Sequence, residues 1–271
     1  MKSQKYTKLL FLLIGFLIIG LILFAVLFSN MQKKQNNLEE ISLTISVAAS
    51  LTESLTDIKE LYVAENPNIE ITFNFGSSGS LQQQIEQGAD VDLFFSAGKK
   101  QMDALQSKGL ILNQTRKNIL RNSVVLIIPI DSSKNINDFE DLTNDNIDKI
   151  ALGEPKSVPA GQYAEELFNN LHILDEIKSK AVYGKDVKEV LTWVESGNAD
   201  AGIVYITDAK MSDKVNVVAT ASEGETSPIL YPSAVIGASK NIDASKNFLS
   251  YLTSDEAKTI FEKYGFIFIA E

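Results

Sequence analysis

The chain has no cysteine and only one histidine in 271 residues. Without cysteine there is no disulfide, no zinc–thiolate or iron–sulfur centre, no cysteine nucleophile and no cysteine for lipid attachment. His172 alone cannot build a multi-histidine metal site. Positive charge is also short: 25 Lys and Arg stand against 35 Asp and Glu, for a net charge of −10. The deficit is uneven. Residues 1–34 hold Lys2, Lys5, Lys8, Lys33 and Lys34 and no acid, so subtracting their +5 from −10 leaves −15 on residues 35–271. Such a body does not attract nucleic acid, because phosphate binding needs an excess of Lys and Arg. The Gly-rich stretches match neither dinucleotide nor P-loop spacing, which argues against nucleotide binding.

Long apolar runs are missing everywhere but at the start. Leu9–Phe28 is 20 residues without a charge, enough for about 30 Å of helix, the thickness of the hydrocarbon layer. Lys2, Lys5 and Lys8 precede it and favour an N-terminus inside. A secretory signal has a shorter apolar core of about 7–15 residues and a small-x-small cleavage site. Phe28-Ser29-Asn30 is a poor one, so the run is expected to be an uncleaved anchor, with a cleaved signal as the alternative. Residues 29–40 read as a polar tether. In either case the chain from Ile41 onward is expected outside the cytoplasm, at the outer face of the cytoplasmic membrane.

The remaining sequence, 45% apolar and 22% charged across the whole chain, is that of a globular protein. Strand patterns at Leu43–Ala48, Ile69–Phe75, Leu93–Ser96, Val124–Pro129 and Ile203–Tyr205 alternate with helical ones at Leu51–Glu65, Lys99–Lys108, Gly161–Asn170 and Val187–Ser196. This order predicts an α/β fold with parallel sheets. Val124–Pro129 is continuously apolar, as in a strand buried on both faces. About 230 residues in two groups of strand–helix units predict two lobes with a ligand between them. One lobe is expected from residues 43–120 plus 226–271 and the other from residues 121–225.

Three strand-to-helix turns concentrate small residues and hydroxyls: Ala48-Ala49-Ser50, Gly76-Ser77-Ser78-Gly79-Ser80 and Val158-Pro159-Ala160-Gly161. A helix N-terminus offers unpaired N–H groups and partial positive charge, so it can hold an anion. It can equally be a plain cap: Ser50-x-x-Glu53 and Ser80-x-x-Gln83 both match the capping box. Recurrence of the pattern at strand ends, where open α/β sheets bind ligands, favours a site. His172 reads as a surface residue and Trp193 as part of an apolar helix stripe. Asp90 and Asp92 flank Val91 with no base or nucleophile nearby to complete a catalytic set.

In chain order, SVAASLTESL, FNFGSSGSL, DVDLFFSAG, LGEPKSVPAGQYA and KDVKEVLTWVESGNADAGIVYITDA, with a closing EKYGF, resemble the molybdate-binding proteins of ABC importers. The resemblance spans about Leu43 to Phe266. It implies a two-lobed periplasmic-binding-protein fold of type II, and a tetrahedral oxyanion held by neutral donors. It implies ligand roles for Ser50 through its hydroxyl and N–H, for Ser78, for the hydroxyl of Tyr205 and for the backbone N–H groups of Ala160 and Val187. The anion would be held through its oxygens, with no direct bond to the metal and no cofactor. Gly79 departs from the family, which often has Ser or Thr there, and a looser turn is expected. The resemblance also implies a non-enzymatic monomeric receptor for molybdate or tungstate, partnered by an ABC permease and its ATPase. A receptor for sulfate or another oxyanion is the alternative. A secreted serine hydrolase using Ser50 or Ser78 is disfavoured, because no histidine lies in a suitable context and no G-x-S-x-G elbow is present.

Overall fold

A computed structural model describes Gly20, residues 23–25 and residues 40–270. The expected anchor Leu9–Phe28 lies almost wholly outside the described residues, among which no helix is long and apolar enough to cross a membrane. Residues 41–271 form one compact unit.

Two sheets organise that unit. The first has the order β11-β4-β10-β3-β1-β2. Its strands are β1 (Ile41–Ala48), β2 (Ile69–Gly76), β3 (Leu93–Phe95), β4 (Lys117–Asn122), β10 (Ile229–Val235) and β11 (Ile267–Phe268). The second has the order β7-β6-β8-β5-β9. It is built from β5 (Val124–Pro129), β6 (Ile150–Gly153), β7 (Ala181–Gly184), β8 (Ala201–Tyr205) and β9 (Val215–Thr220). The chain leaves the first sheet through Ser123 alone, between β4 and β5, and returns between Thr220 and Ile229.

Neither sheet is purely parallel, which corrects the sequence expectation. β1 pairs in parallel with β2 and β3, but β10 runs antiparallel to β3 and β4. In the second sheet β6 is parallel to β7 and β8, while β5 is antiparallel to β8 and β9. The antiparallel members are the strands that flank the two crossings. Alternating strands and helices specify parallel pairs, but they do not specify how the chain re-enters a sheet after a crossing.

Helices cover the sheets: α1 (Thr52–Glu65), α2 (Ser78–Glu86), α3 (Lys99–Ser107), α4 (Pro159–Asn170), α5 (Leu174–Lys180), α6 (Val187–Glu195), α7 (Ile206–Ala209), α8 (Ile242–Tyr251) and α9 (Asp255–Lys263). In α6 the residues Val187, Val190, Leu191 and Val194 are buried, the i, i+3, i+4, i+7 stripe of a helix lying on a sheet. Trp193 packs against that core while partly buried, and His172 is exposed in a left-handed backbone at φ 61°. Within α4, a Cβ on Gly161 would lie 2.0 Å from the Gly153 carbonyl oxygen. Glycine therefore lets the first turn of α4 press onto the end of β6.

Candidate functional site

β1, β2, β6 and β7 each end in a turn that opens a helix, and these carboxyl ends converge with the end of β8 on one small cavity. Ser50, Ser78, Ala160, Val187 and Tyr205 all line it, and none is more than 5% exposed. Ser50 lies in the 3₁₀ turn Ala49–Leu51 that precedes α1. Ser78 and Val187 are the first residues of α2 and α6, and Ala160 is the second of α4. At those positions the backbone N–H has no partner within its own helix. Pro159, lacking an N–H, occupies the first position of α4, where none is needed.

The hydroxyls have defined partners. Ser50 Oγ is 3.0 Å from the Tyr231 hydroxyl. Ser78 Oγ accepts from the Ala97 N–H at 2.9 Å, and the Tyr205 hydroxyl donates to the Ala97 carbonyl at 3.3 Å. Burial pushes the Tyr205 phenol well above its ordinary range, with Tyr231, Tyr163 and Asp208 adding to the shift, so it remains a proton donor. No Lys or Arg is among the described residues lining the cavity. Asp186 lines it, but its carboxylate caps α6 by accepting from the Glu189 N–H at 2.9 Å. The result is a partly open pocket lined by buried residues and rich in neutral donors.

Capping is distributed differently from the sequence pattern. Ser50 caps nothing, and α1 begins without a side-chain cap. Ser77, not Ser80, is the N-cap of α2, accepting from the Ser80 N–H. Gly79 does not loosen its turn. Its N–H donates to the Ser157 carbonyl at 2.8 Å, and a Cβ there would lie 2.5 Å from that oxygen. The contact joins the α2 turn of one sheet to the loop before α4 of the other. Asp90 and Asp92 do not act together: Asp92 is buried and accepts from the Thr44 N–H and the Ser239 hydroxyl, while exposed Asp90 faces Lys240.

Several residues around the cavity carry no local signal. Tyr231 and Asn122 stand behind Ser50, and Asn122 Nδ2 donates to the Tyr231 hydroxyl at 3.1 Å. Lys188 of α6 bonds both carboxylate oxygens of Glu53 on α1, at 2.8 and 3.0 Å. It also lies 3.3 Å from fully buried Asp208 of α7. Burial pushes the Asp208 carboxyl up to about 6, against the opposing pull of Lys188. Their sequence separation hides these partners: 135 residues divide Glu53 from Lys188, and 181 divide Ser50 from Tyr231.

A family model described as bacterial extracellular solute-binding protein matches residues 43–267. The molybdate-binding protein ModA of Haemophilus influenzae (strain ATCC 51907 / DSM 11121 / KW20 / Rd) is 40% identical over 226 residues, covering 82% of this chain and 89% of that protein. A solved structure named as the substrate-binding domain of a molybdenum ABC transporter from Clostridium difficile is 50% identical. It covers 84% of this chain and 99% of its own, with a TM-score of 0.66. The Azotobacter vinelandii periplasmic molybdate-binding protein, 20% identical, superposes with a TM-score of 0.73 over 83% of this chain and 98% of that one, a likeness of fold alone. The two-sheet α/β architecture is thus that of the periplasmic binding proteins. From Leu43 to Ile267 the chain belongs to the bacterial extracellular solute-binding proteins, a family that binds solutes and does not transform them.

Proposed function

We propose that this protein captures molybdate or tungstate outside the cytoplasm and delivers it to an ABC permease driven by its ATPase. The observation that carries this reading is the convergence of Ser50, Ser78, Ala160, Val187 and Tyr205 on one cavity with no lining cation among the described residues. A relative at 40% identity named for molybdate, and one at 50% named for a molybdenum ABC transporter, support it. In this reading Ser50, Ser78 and Tyr205 donate hydroxyl protons, and Ala160 and Val187 donate backbone N–H groups. The oxyanion is bound through its oxygens, as cargo and not as a cofactor. Each such bond to an anion contributes about 1.5–3 kcal/mol. The 3.3 Å bond from Tyr205 to Ala97 is long, and a charged acceptor displaces it readily.

Neutral donors also select. They compensate a fully deprotonated tetrahedral anion, whereas the O–H of hydrogen phosphate needs an acceptor. The ligand lies between a lobe of residues 43–120 plus 226–271, which supplies Ser50 and Ser78, and a lobe of residues 121–225, which supplies Ala160, Val187 and Tyr205. This is the type II arrangement. The run Leu9–Phe28 holds the receptor at the outer face of the cytoplasmic membrane, in place of the lipid anchor that a cysteine-free chain cannot carry. The receptor works as a monomer.

Calorimetry of residues 41–271 with molybdate, tungstate, sulfate and phosphate tests the reading. Micromolar or tighter binding of molybdate and tungstate, about −8 kcal/mol or better, with sulfate and phosphate far weaker, is expected. Tighter binding of sulfate would replace it with a sulfate receptor.

A further inference from the structure

Ser50 has one proton, and the reading above needs that proton to face the ligand. A hydroxyl 3.0 Å from another hydroxyl can spend it elsewhere, because either oxygen can be the donor. The groups behind Tyr231 remove the ambiguity. Asn122 Oδ1 accepts from the backbone N–H of Ser123 at 2.9 Å. A backbone N–H can only donate, so the amide oxygen faces Ser123 and the NH₂ faces the other way. That NH₂ donates to Thr207 Oγ1 at 2.9 Å and to the Tyr231 hydroxyl at 3.1 Å. Both of its protons are thereby placed. Tyr231 is 0% exposed, and burial keeps its phenol protonated far above the ordinary range. Its oxygen accepts from Asn122, its other hydroxyl neighbour Tyr205 donates to the Ala97 carbonyl, and its own proton is then directed to Ser50 Oγ at 3.0 Å.

We infer that Asn122 and Tyr231 form a one-way hydrogen-bond relay that polarises Ser50 and fixes its hydroxyl as a donor toward the ligand. The inference deepens the proposed function and rests on it. Tyr231 and Asn122 are positioning residues: neither lines the cavity, and both act through Ser50. The relay has two consequences. A hydroxyl that accepts one hydrogen bond donates a stronger one. Of the two lone pairs on Ser50 Oγ, the one engaged by Tyr231 is unavailable to an O–H of a protonated anion, which halves its accepting capacity and so sharpens discrimination against hydrogen phosphate. Ser78 is arranged the same way, because the Ala97 N–H engages its oxygen and leaves its proton free.

A double-mutant cycle on the full-length chain tests this by calorimetry with molybdate, and with phosphate as competitor. Tyr231→Phe removes only the relaying hydroxyl. It is expected to weaken molybdate binding about 3- to 10-fold, to narrow the ratio of molybdate to phosphate affinity, and to cost nothing further in a Ser50→Ala background. Asn122→Leu removes the head of the relay and is expected to act in the same direction and to be non-additive with Ser50→Ala. A purely structural role for Tyr231 would lower affinity equally with and without Ser50, and that additivity would overturn the relay. An unchanged molybdate-to-phosphate ratio in Tyr231→Phe would overturn it as well. Wild-type chain that binds neither molybdate nor tungstate would sink the proposed function and the relay together, whereas wild-type binding with an additive cycle sinks the relay alone.

Discussion

Replacing Ser50 by alanine separates a structural serine from a ligand-binding one. A lost N-cap would cost about 0.5–2 kcal/mol of stability with affinity preserved. Because α1 has no side-chain cap, Ser50→Ala is instead expected to lower molybdate affinity by about 10- to 150-fold with a smaller change in the ligand-free melt. Tyr205→Phe, nearly isosteric, should weaken binding from the other sheet. Ala160→Asp should do so most severely, since it sets a carboxylate beside a dianion where little water screens it. Calorimetry beside a thermal melt of each variant reads these outcomes, and unchanged affinity in both Ser50→Ala and Tyr205→Phe would remove the assigned site. At this scale the sequence was informative where chemistry is local. Small residues and hydroxyls at strand ends mark the turns that hold Ser50, Ser78 and Ala160, whereas Val187 and Tyr205 are reached only through the family resemblance. Tyr231 and Asn122 give no sign, because 109 residues separate them and only the fold brings them together.

Among the elements, α7 holds the most strongly perturbed carboxylate of the described residues. Asp208 ionises near 6 in the folded protein, against 3.8 ordinarily. Its charge therefore opposes folding, and stability is lost as pH rises through that interval and stays lost above it. Asp208→Asn should gain on the wild type by about 1–2 kcal/mol more at pH 8 than at pH 5, or roughly 3–6 °C in melting temperature. Melts at the two pH values check this, and a pH-independent difference would contradict it. Strong apolar runs such as Val124–Pro129 match their strand end to end. Strand β4, KNILRN, and helix α5, LDEIKSK, carry too many polar residues for either period to stand out. Their place comes from packing: β4 lies between β10 and β11, and α5 buries only Ile177. For β10 it is the antiparallel direction that stays hidden, since pairing direction is set by where the chain re-enters the sheet.

For the whole molecule, the proposed two-lobe arrangement divides the ligand contacts between the lobes and so favours a closed state by their differential affinity. X-ray scattering should show a smaller radius of gyration on adding molybdate, and an identical curve at saturation would count against hinge closure. Removing residues 1–40 should leave affinity unchanged, since the residues proposed to hold the ligand all lie beyond Ile41, while releasing the protein from membranes. Mass spectrometry of the native protein should find those residues retained, and a mature start near residue 30 would convert the anchor into a signal without touching the binding site. The Gly79–Ser157 bond reports on the same motion from inside. An amide whose acceptor belongs to the opposite sheet trades its proton with solvent only when the sheets part, so its deuterium uptake is a clock for opening. Molybdate should slow that clock in proportion to the fraction of receptor it occupies, and a single backbone site then counts, without any attached probe, how many receptors in a population are loaded.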